Sequence, residues 1–458
     1  MPIMANVDRT RLAALIDRER ATYRQRTTRS HEAWAASTHL FGKVPMTWMS
    51  MWAGGYPLTF TQAHGNRITD VDGHHYIDFA LGDTGAMAGH SPQRTVAAVT
   101  DRMAKAGGIT TMLPSEDAEW VGAELTRRFG LPIWSFTLTA TDANRWAIRL
   151  ARLVTGRPKI LVFSYCYHGS VDETFIILDE SGRPVSRPGN VGPAVDPTET
   201  TRVAEFNDLA GVERELAHGD VAVILAEPAL TNIGIVLPEP GFLEALRDLA
   251  TQYGTLLAID ETHTISAGPG GMTARDGLRP DIFVIGKSLG GGIPCGAYGI
   301  TADIAEAVTR LAETGSADIV DVGGVGGTLA GNALSLTAMR ATLAHVLTDE
   351  AYEQMIALAT RYTDGVRAAL DRTGLPWSIT QLGARAEYRF TDPAPRTGGE
   401  SAAAGDTDLD EYMHLYTCNR GILLTPFHNM ALMCPQTTAE DVDALIAVFG
   451  DAVTELAS

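Results

Sequence analysis

The stretch "TLLAIDETHTISAGPGGMTARDGLRPDIFVIGKSLGGGIPCGAYGI", residues 255–300, decides the fold. It holds three short apolar runs, "TLLAID", "DIFVIG" and "GAYGI". Each is continuously apolar, the pattern of strands buried on both faces, and the first two end on polar residues or glycine. Asp260 closes one run and Lys287 follows another directly after Gly286. A turn residue such as Gly286 is expected at the end of a buried strand, but a lysine is not, because lysine is mostly exposed.

Similar runs lie upstream: "SFTLT", "KILVF" and "VAVILAEP". Between most of them the apolar spacing is helical, as in "GFLEALRDLATQYG". Strands separated by helices predict an α/β fold, with a mostly parallel sheet covered by helices on both faces. Ligands bind such sheets beyond the carboxyl ends of the strands, so the residues after each run carry the functional reading.

Beyond this block the chain changes character. The N-terminus to about residue 30 reads as a charged helix, and "YPLTFTQAHGNRITDVDGHHYIDFA" as a small antiparallel meander turning at Asp72-Gly73. "SPQRTVAAVTDRMAKAGG" begins a helix that Gly107-Gly108 ends. One or two long helices are expected over residues 333–373, and "PAPRTGGESAAAGD" reads as a mobile polar loop. The chain then returns to mixed strands and a closing helix. The expected division is an N-terminal segment (1–75), a large domain (76–335) and a C-terminal small domain (336–458).

With 458 residues the chain can build roughly two or three domains. Its 36 basic against 55 acidic residues give a net charge of −19, which disfavours nucleic acid and anionic membranes as partners. No apolar run nears the roughly 18 residues that span a bilayer, and no signal-peptide core opens the chain, so a cytoplasmic protein is expected. The four cysteines form no CxxC pair; no metal site is expected, and they read as reduced apolar fillers.

The strand ends collect a particular set of groups. "ILVFSYCYHG" delivers Tyr167 and His168, and "VILAEPALTNIG" delivers Glu227 and Asn232. "FTLTATDANRWAIRLAR" runs from strand to helix, so backbone N–H groups around Ala140 and Thr141 crown a helix N-terminus and favour an anion. A lysine, an aspartate, an aromatic ring and an anion-binding helix end are together what pyridoxal 5'-phosphate (PLP) needs. Its aldehyde forms a Schiff base with lysine, a carboxylate keeps its ring nitrogen protonated, and oriented amides hold its phosphate.

Residues 255–300, with "AEPALTNIGIVLPEPGFLEALRDLATQYG" before them and "GNRITDVDGHHYIDF" near the N-terminus, resemble the class III aminotransferases of PLP fold type I. The likeness is strongest to the branch of glutamate-1-semialdehyde aminomutase and its aminotransferase relatives, from about residue 40 onward. It implies a large domain with a seven-stranded sheet and a small α+β domain from both chain ends. Lys287 is the implied Schiff-base lysine, Asp260 the partner of the ring nitrogen, and Tyr167 the stacking ring, followed by His168. Asn232 falls near the ring oxygen, and Thr262 stands where the family commonly has valine beneath the ring. "GGTLAGN" implies that Thr328 reaches the phosphate across a homodimer interface, with each site shared by both chains. The family's phosphate loop is altered to "TATDA", with Ala140 in place of glycine. His263, a lone histidine past the Asp-Glu pair, reads as structural.

Related branches hold a substrate carboxylate with an arginine in the N-terminal loop. In "KVPMTWMSMWAGGYP" the aligned residue is Trp48, within a methionine-rich strip that reads as a core strip or as an apolar pocket wall. Arg385 in "LGARAEYRF" is a substitute anchor, against solvent exposure or an ion pair with Glu387. His428 in "LLTPFHNMALM" is a further substrate residue. The expected activity is transfer of an amino group from an amine or amino acid to a keto acid. The missing loop arginine argues against the alternative, an intramolecular aminomutase, and the intact lysine–aspartate pair argues against a non-catalytic relative.

Overall fold

The structure is a computed structural model that describes residues 7–457. Two compact units emerge, one of Met1–Pro92, Glu350–Pro395 and Ala404–Ser458, the other of Gln93–Asp349 and Arg396–Ala403.

The second unit is built on seven strands: β1 (Ile133–Thr137), β2 (Lys159–Phe163), β3 (Thr201–Ala204), β4 (Val221–Ala226), β5 (Leu256–Asp260), β6 (Ile282–Ile285) and β7 (Gly296–Ile300). Their order across the sheet is β1-β7-β6-β5-β4-β2-β3. From β6 to β3 every neighbour is parallel, and β7 alone runs antiparallel, between β6 and β1. Every residue of β4, β6 and β7 is buried, as continuous apolar runs require. Aromatic groups pack around it: Phe163, Phe206 and Phe242 in one cluster, Phe129, Trp134 and Phe283 in another.

Helices α1 (Ala140–Thr155), α2 (Leu209–Leu216) and α3 (Phe242–Gln252) carry the chain between strands. Thr139 caps α1 by accepting from the Asp142 amide at 3.2 Å, and Gly156 ends it at φ 68°. The 393–406 segment is not loop throughout. Gly398–Ala403 is helical and lies in the second unit, where Asn207 donates to the Arg396 carbonyl (2.8 Å) and Ser401 to that of Ile233. Those bonds satisfy polar groups that the sequence assigns to water.

The first unit contains the N-terminal helix Arg9–Arg26 and the meander Phe60–His64, Arg67–Asp70 and His75–Asp78, to which Ile422–Leu423 adds a parallel fourth strand. A second sheet joins Ser378–Leu382, Arg385–Arg389 and Met430–Leu432, and Ala439–Ala457 closes the chain. No helix among the described residues is long and apolar enough to cross a membrane.

Candidate active site

The carboxyl end of the sheet brings Asp260, His168, Asn144 and Lys287 into one polar neighbourhood. Asp260 stands opposite Val284 in the β5–β6 register, and the Glu261 amide donates to the Val284 carbonyl at 2.9 Å. Lys287 follows three residues later, past Gly286. Lys287 itself has φ 51°, in the left-handed region that a non-glycine residue rarely occupies. Such a conformation costs on the order of 1 kcal/mol or more and persists where surrounding structure imposes it. The close approach at Gly286 is part of that structure: a Cβ there would lie 2.9 Å from the Ala140 nitrogen. Gly286 therefore lets the end of β6 press against the start of α1. Only four lysines occur in the chain, and Lys287 alone follows the carboxyl end of a sheet strand.

Asp260 is buried and fully engaged on one oxygen. Its Oδ2 accepts from His168 Nδ1 at 2.9 Å and from Asn144 Nδ2 at 2.8 Å, while Oδ1 accepts from the Thr262 amide at 3.0 Å. Burial pushes its pKa up, but the hydrogen bond and charge of His168, with Thr262 and Asn144, hold it below the ordinary carboxylate value. In His168 burial lowers the pKa, Cys166 and Asp260 raise it, and the outcome lies well above the ordinary imidazole value. The pair is thus an imidazolium beside a carboxylate.

Asn144 also donates to the His168 carbonyl at 3.1 Å, so one amide on α1 fixes both partners. The Tyr167–Gly169 turn is braced from below and from the side. Glu227, buried and with its pKa raised by that burial, accepts from the Tyr167 amide at 3.1 Å and the Thr231 hydroxyl at 2.7 Å. The Ser170 amide donates to the Thr141 hydroxyl at 3.2 Å.

These groups suit the ring and phosphate of PLP. A carboxylate offers about four acceptor sites, and the bonds above use three, which leaves one on Oδ1 for a ring N–H. Around Asp260, His168 Nε2, Asn144 Oδ1 and Thr262 Oγ1 are buried without a hydrogen-bond partner among the described residues. Buried polar atoms of this kind call for a ligand or water. The N-terminus of α1, at Ala140 and Thr141, suits a phosphate.

The remaining residues fall in three places. Asn232 is half-buried, in the turn bridged by Leu230 and Val236. Thr328 is exposed, as are Gly326 and Gly327. Trp48, Arg385 and His428 belong to the first unit. There Trp48 lies edge-on to Phe427 at 5.6 Å between ring centres. Arg385 is not solvent-exposed: it is fully buried, donates to the Thr84 hydroxyl at 2.6 Å and meets the Met430 sulfur at 3.3 Å. Glu387 pairs with His428 at 3.4 Å.

Two residues escape the sequence reading. His263 is not merely a buried filler, since its Nε2 lies 2.8 Å from Lys287 Nζ. Asn144 shares a buried helix face with Ala143, Ala147, Ile148 and Ala151, and a polar residue within an apolar helical spacing was its only signal.

Comparison with known proteins agrees with this chemistry. Residues 49–453 match the family model described as aminotransferase class-III. A glutamate-1-semialdehyde 2,1-aminomutase of Sorangium cellulosum is 34% identical over 406 residues, covering 87% of this chain and 90% of that protein. Among solved structures, a glutamate-1-semialdehyde-aminomutase from Pseudomonas aeruginosa PAO1 is 48% identical with a TM-score of 0.94, covering 98% of this chain and 99% of that one. A lysine-to-alanine variant described under the same name was solved in complex with PMP. An omega-transaminase from Sphaerobacter thermophilus is 26% identical with a TM-score of 0.84, covering 95% and 100%. The chain belongs to the class-III aminotransferase family: it is a PLP-dependent enzyme with the fold type I architecture.

Proposed function

We propose that this class-III family member moves an amino group between two carbons of one substrate molecule, as an aminomutase of the glutamate-1-semialdehyde kind. The observation that carries the reading is the 48% identity, over nearly both whole chains, to a structure of that name. It outweighs the sequence-based preference for transfer to an external keto acid. The bound cofactor supplies an electron-withdrawing ring that stabilises negative charge when a substrate C–H bond breaks.

The chain's own groups divide the remaining work. Lys287 holds the cofactor covalently and moves the proton at the substrate carbon. Asp260, kept ionised by His168 and Asn144, holds a proton on the ring nitrogen. Tyr167, Thr262 and Asn232 would hold the ring, and the first amides of α1 with Thr141 would bind the phosphate. Thr328 is assigned to the phosphate of a second copy in a homodimer. Support comes from its exposure within a glycine-rich segment that offers little to its own unit. A cytoplasmic location follows from the same reading, as does a cofactor domain spanning about residues 76–335.

A second reading rests on the family resemblance, which sets Trp48 at the loop position of a carboxylate-binding arginine; a tryptophan there suits an apolar substrate and an external amino acceptor. Glutamate 1-semialdehyde supplied to the holoenzyme without any acceptor separates the two. The expected result is 5-amino-4-oxopentanoate at a steady rate. Turnover that requires an added keto acid, over a panel of amines and amino acids, would establish the external aminotransferase instead.

A further inference from the structure

Lys287 must change its protonation state to do its work. An amine attacks an aldehyde carbon only as the neutral base, whereas a free lysine at neutral pH is an ammonium. The structure places the titratable side chain of His263 at hydrogen-bond distance from Nζ, with Nε2 at 2.8 Å. His263 is 5% exposed and sits between the end of β5 and the short helical turn Thr264–Ala267. Bulk water therefore has little access to the imidazole.

Three carboxylates at this end of the sheet have partners of their own. Asp260 is held by His168, Asn144 and the Thr262 amide. Glu261 accepts from Thr264, from the Met272 amide at 3.2 Å, and from the amide and hydroxyl of Thr273. Glu227 is taken by Tyr167 and Thr231.

We infer that His263 is the proton acceptor and donor for Lys287 when that lysine makes and breaks its covalent link to PLP. The assignment rests on the PLP reading above and adds a catalytic residue to it. As the link forms, Nζ starts with three protons and ends with one. The first passes to His263 Nε2 as Nζ bonds the aldehyde carbon and the carbonyl electron pair moves onto oxygen. That oxygen then takes a second proton from nitrogen and the first back from His263, and the carbon–oxygen bond breaks to release water. In the reverse direction His263 returns the proton that lets Lys287 depart as an amine. Neither an oxidant nor a further reactant is needed.

The test is recombination of the full-length, cofactor-stripped protein with PLP. The link is followed by its visible absorbance and by borohydride trapping, in wild type, His263→Gln and His263→Ala. Glutamine keeps a hydrogen bond to Nζ but cannot carry a proton. Both variants should form the link about 100-fold more slowly, within the usual range for a lost acid–base group. Added imidazole should restore the rate in His263→Ala, and affinity for pyridoxamine phosphate, which needs no lysine link, should stay at the wild-type value. A wild-type rate in His263→Gln would make His263 a positioning group only. Unchanged rates in both variants, or slow rates accompanied by lost pyridoxamine phosphate affinity, would overturn the proposal as well. Failure of wild type to form any link at Lys287 would instead sink the PLP reading, a separate outcome.

Discussion

Replacing Asp260 with asparagine should make the stability of the cofactor-free protein depend on pH in a specific way. In the wild type His168 is an imidazolium held by Asp260 at 2.9 Å, with its pKa raised well above 6.5. A group raised on folding contributes stability that is fully present below its unfolded pKa and is lost as pH rises through the folded value. In Asp260→Asn the carboxylate that raises the pKa of His168 is gone, and the largest influence left is burial, which lowers it, set against Cys166, which raises it. The variant then loses stability as pH falls below 6.5, because only its unfolded chain takes up the proton.

Both effects have the same sign for the difference between the two proteins. The gap should therefore shrink as pH rises from 6 to 8, by about 1.4 kcal/mol per unit for one proton, or about 2.7 kcal/mol in all. Breaking a buried pair by removing one partner costs about 3–5 kcal/mol, so the gap at pH 6 should lie in that range. Urea denaturation at several pH values measures it. A gap that does not change with pH would mean that His168 binds the same number of protons with and without the Asp260 charge, and Asp260 would not be what holds it as an imidazolium.

Two further outcomes follow from the geometry. In Gly286→Ala the new Cβ would meet the backbone nitrogen and Cβ of Ala140 at about 3 Å, so the start of α1 must shift. Overpacking of that kind costs about 1–3 kcal/mol, and PLP affinity, read by spectral titration, should fall along with stability; wild-type affinity would contradict the role given to this close approach. His414 is buried, and burial, countered partly by a hydrogen bond to Asn429, lowers its pKa from 6.5 to about 4. The folded state thus loses stability as pH falls from 6.5 to about 4, by roughly 3 kcal/mol. His414→Gln should flatten that part of the stability profile, and an unchanged slope would show that His414 does not titrate there.

Much of the second unit is legible in the sequence because buried parallel strands are apolar without interruption. "KILVF" and "GAYGI" coincide with β2 and β7 to the residue. β3 escapes notice because "TRVA" is four residues long and carries a charge. Asp260 and Lys287 are visible because charges at the ends of such strands have no packing reason to be there. Asn144 and His263 are not, since their meaning lies in contacts 116 and 24 residues away along the chain. The Gly398–Ala403 helix is misread as a loop for a related reason. Its small, polar sequence gives no amphipathic pattern, and bonds from distant residues such as Asn207 hold its segment in place.

The central claim is that Lys287 carries the cofactor. The chain's only other lysines are Lys43, Lys105 and Lys159. Lys105 is paired with Asp101 on the surface, and Lys159 opens β2 at the opposite end from Asp260 and donates to the Thr198 carbonyl. Reduction of the holoenzyme with borohydride, followed by peptide mass measurement, reads the attachment site among these four. The pyridoxyl adduct should lie on the peptide containing Lys287 and be completely absent from Lys287→Ala. An adduct on Lys43, Lys105 or Lys159 in the native holoenzyme, with Lys287 unmodified, would contradict it.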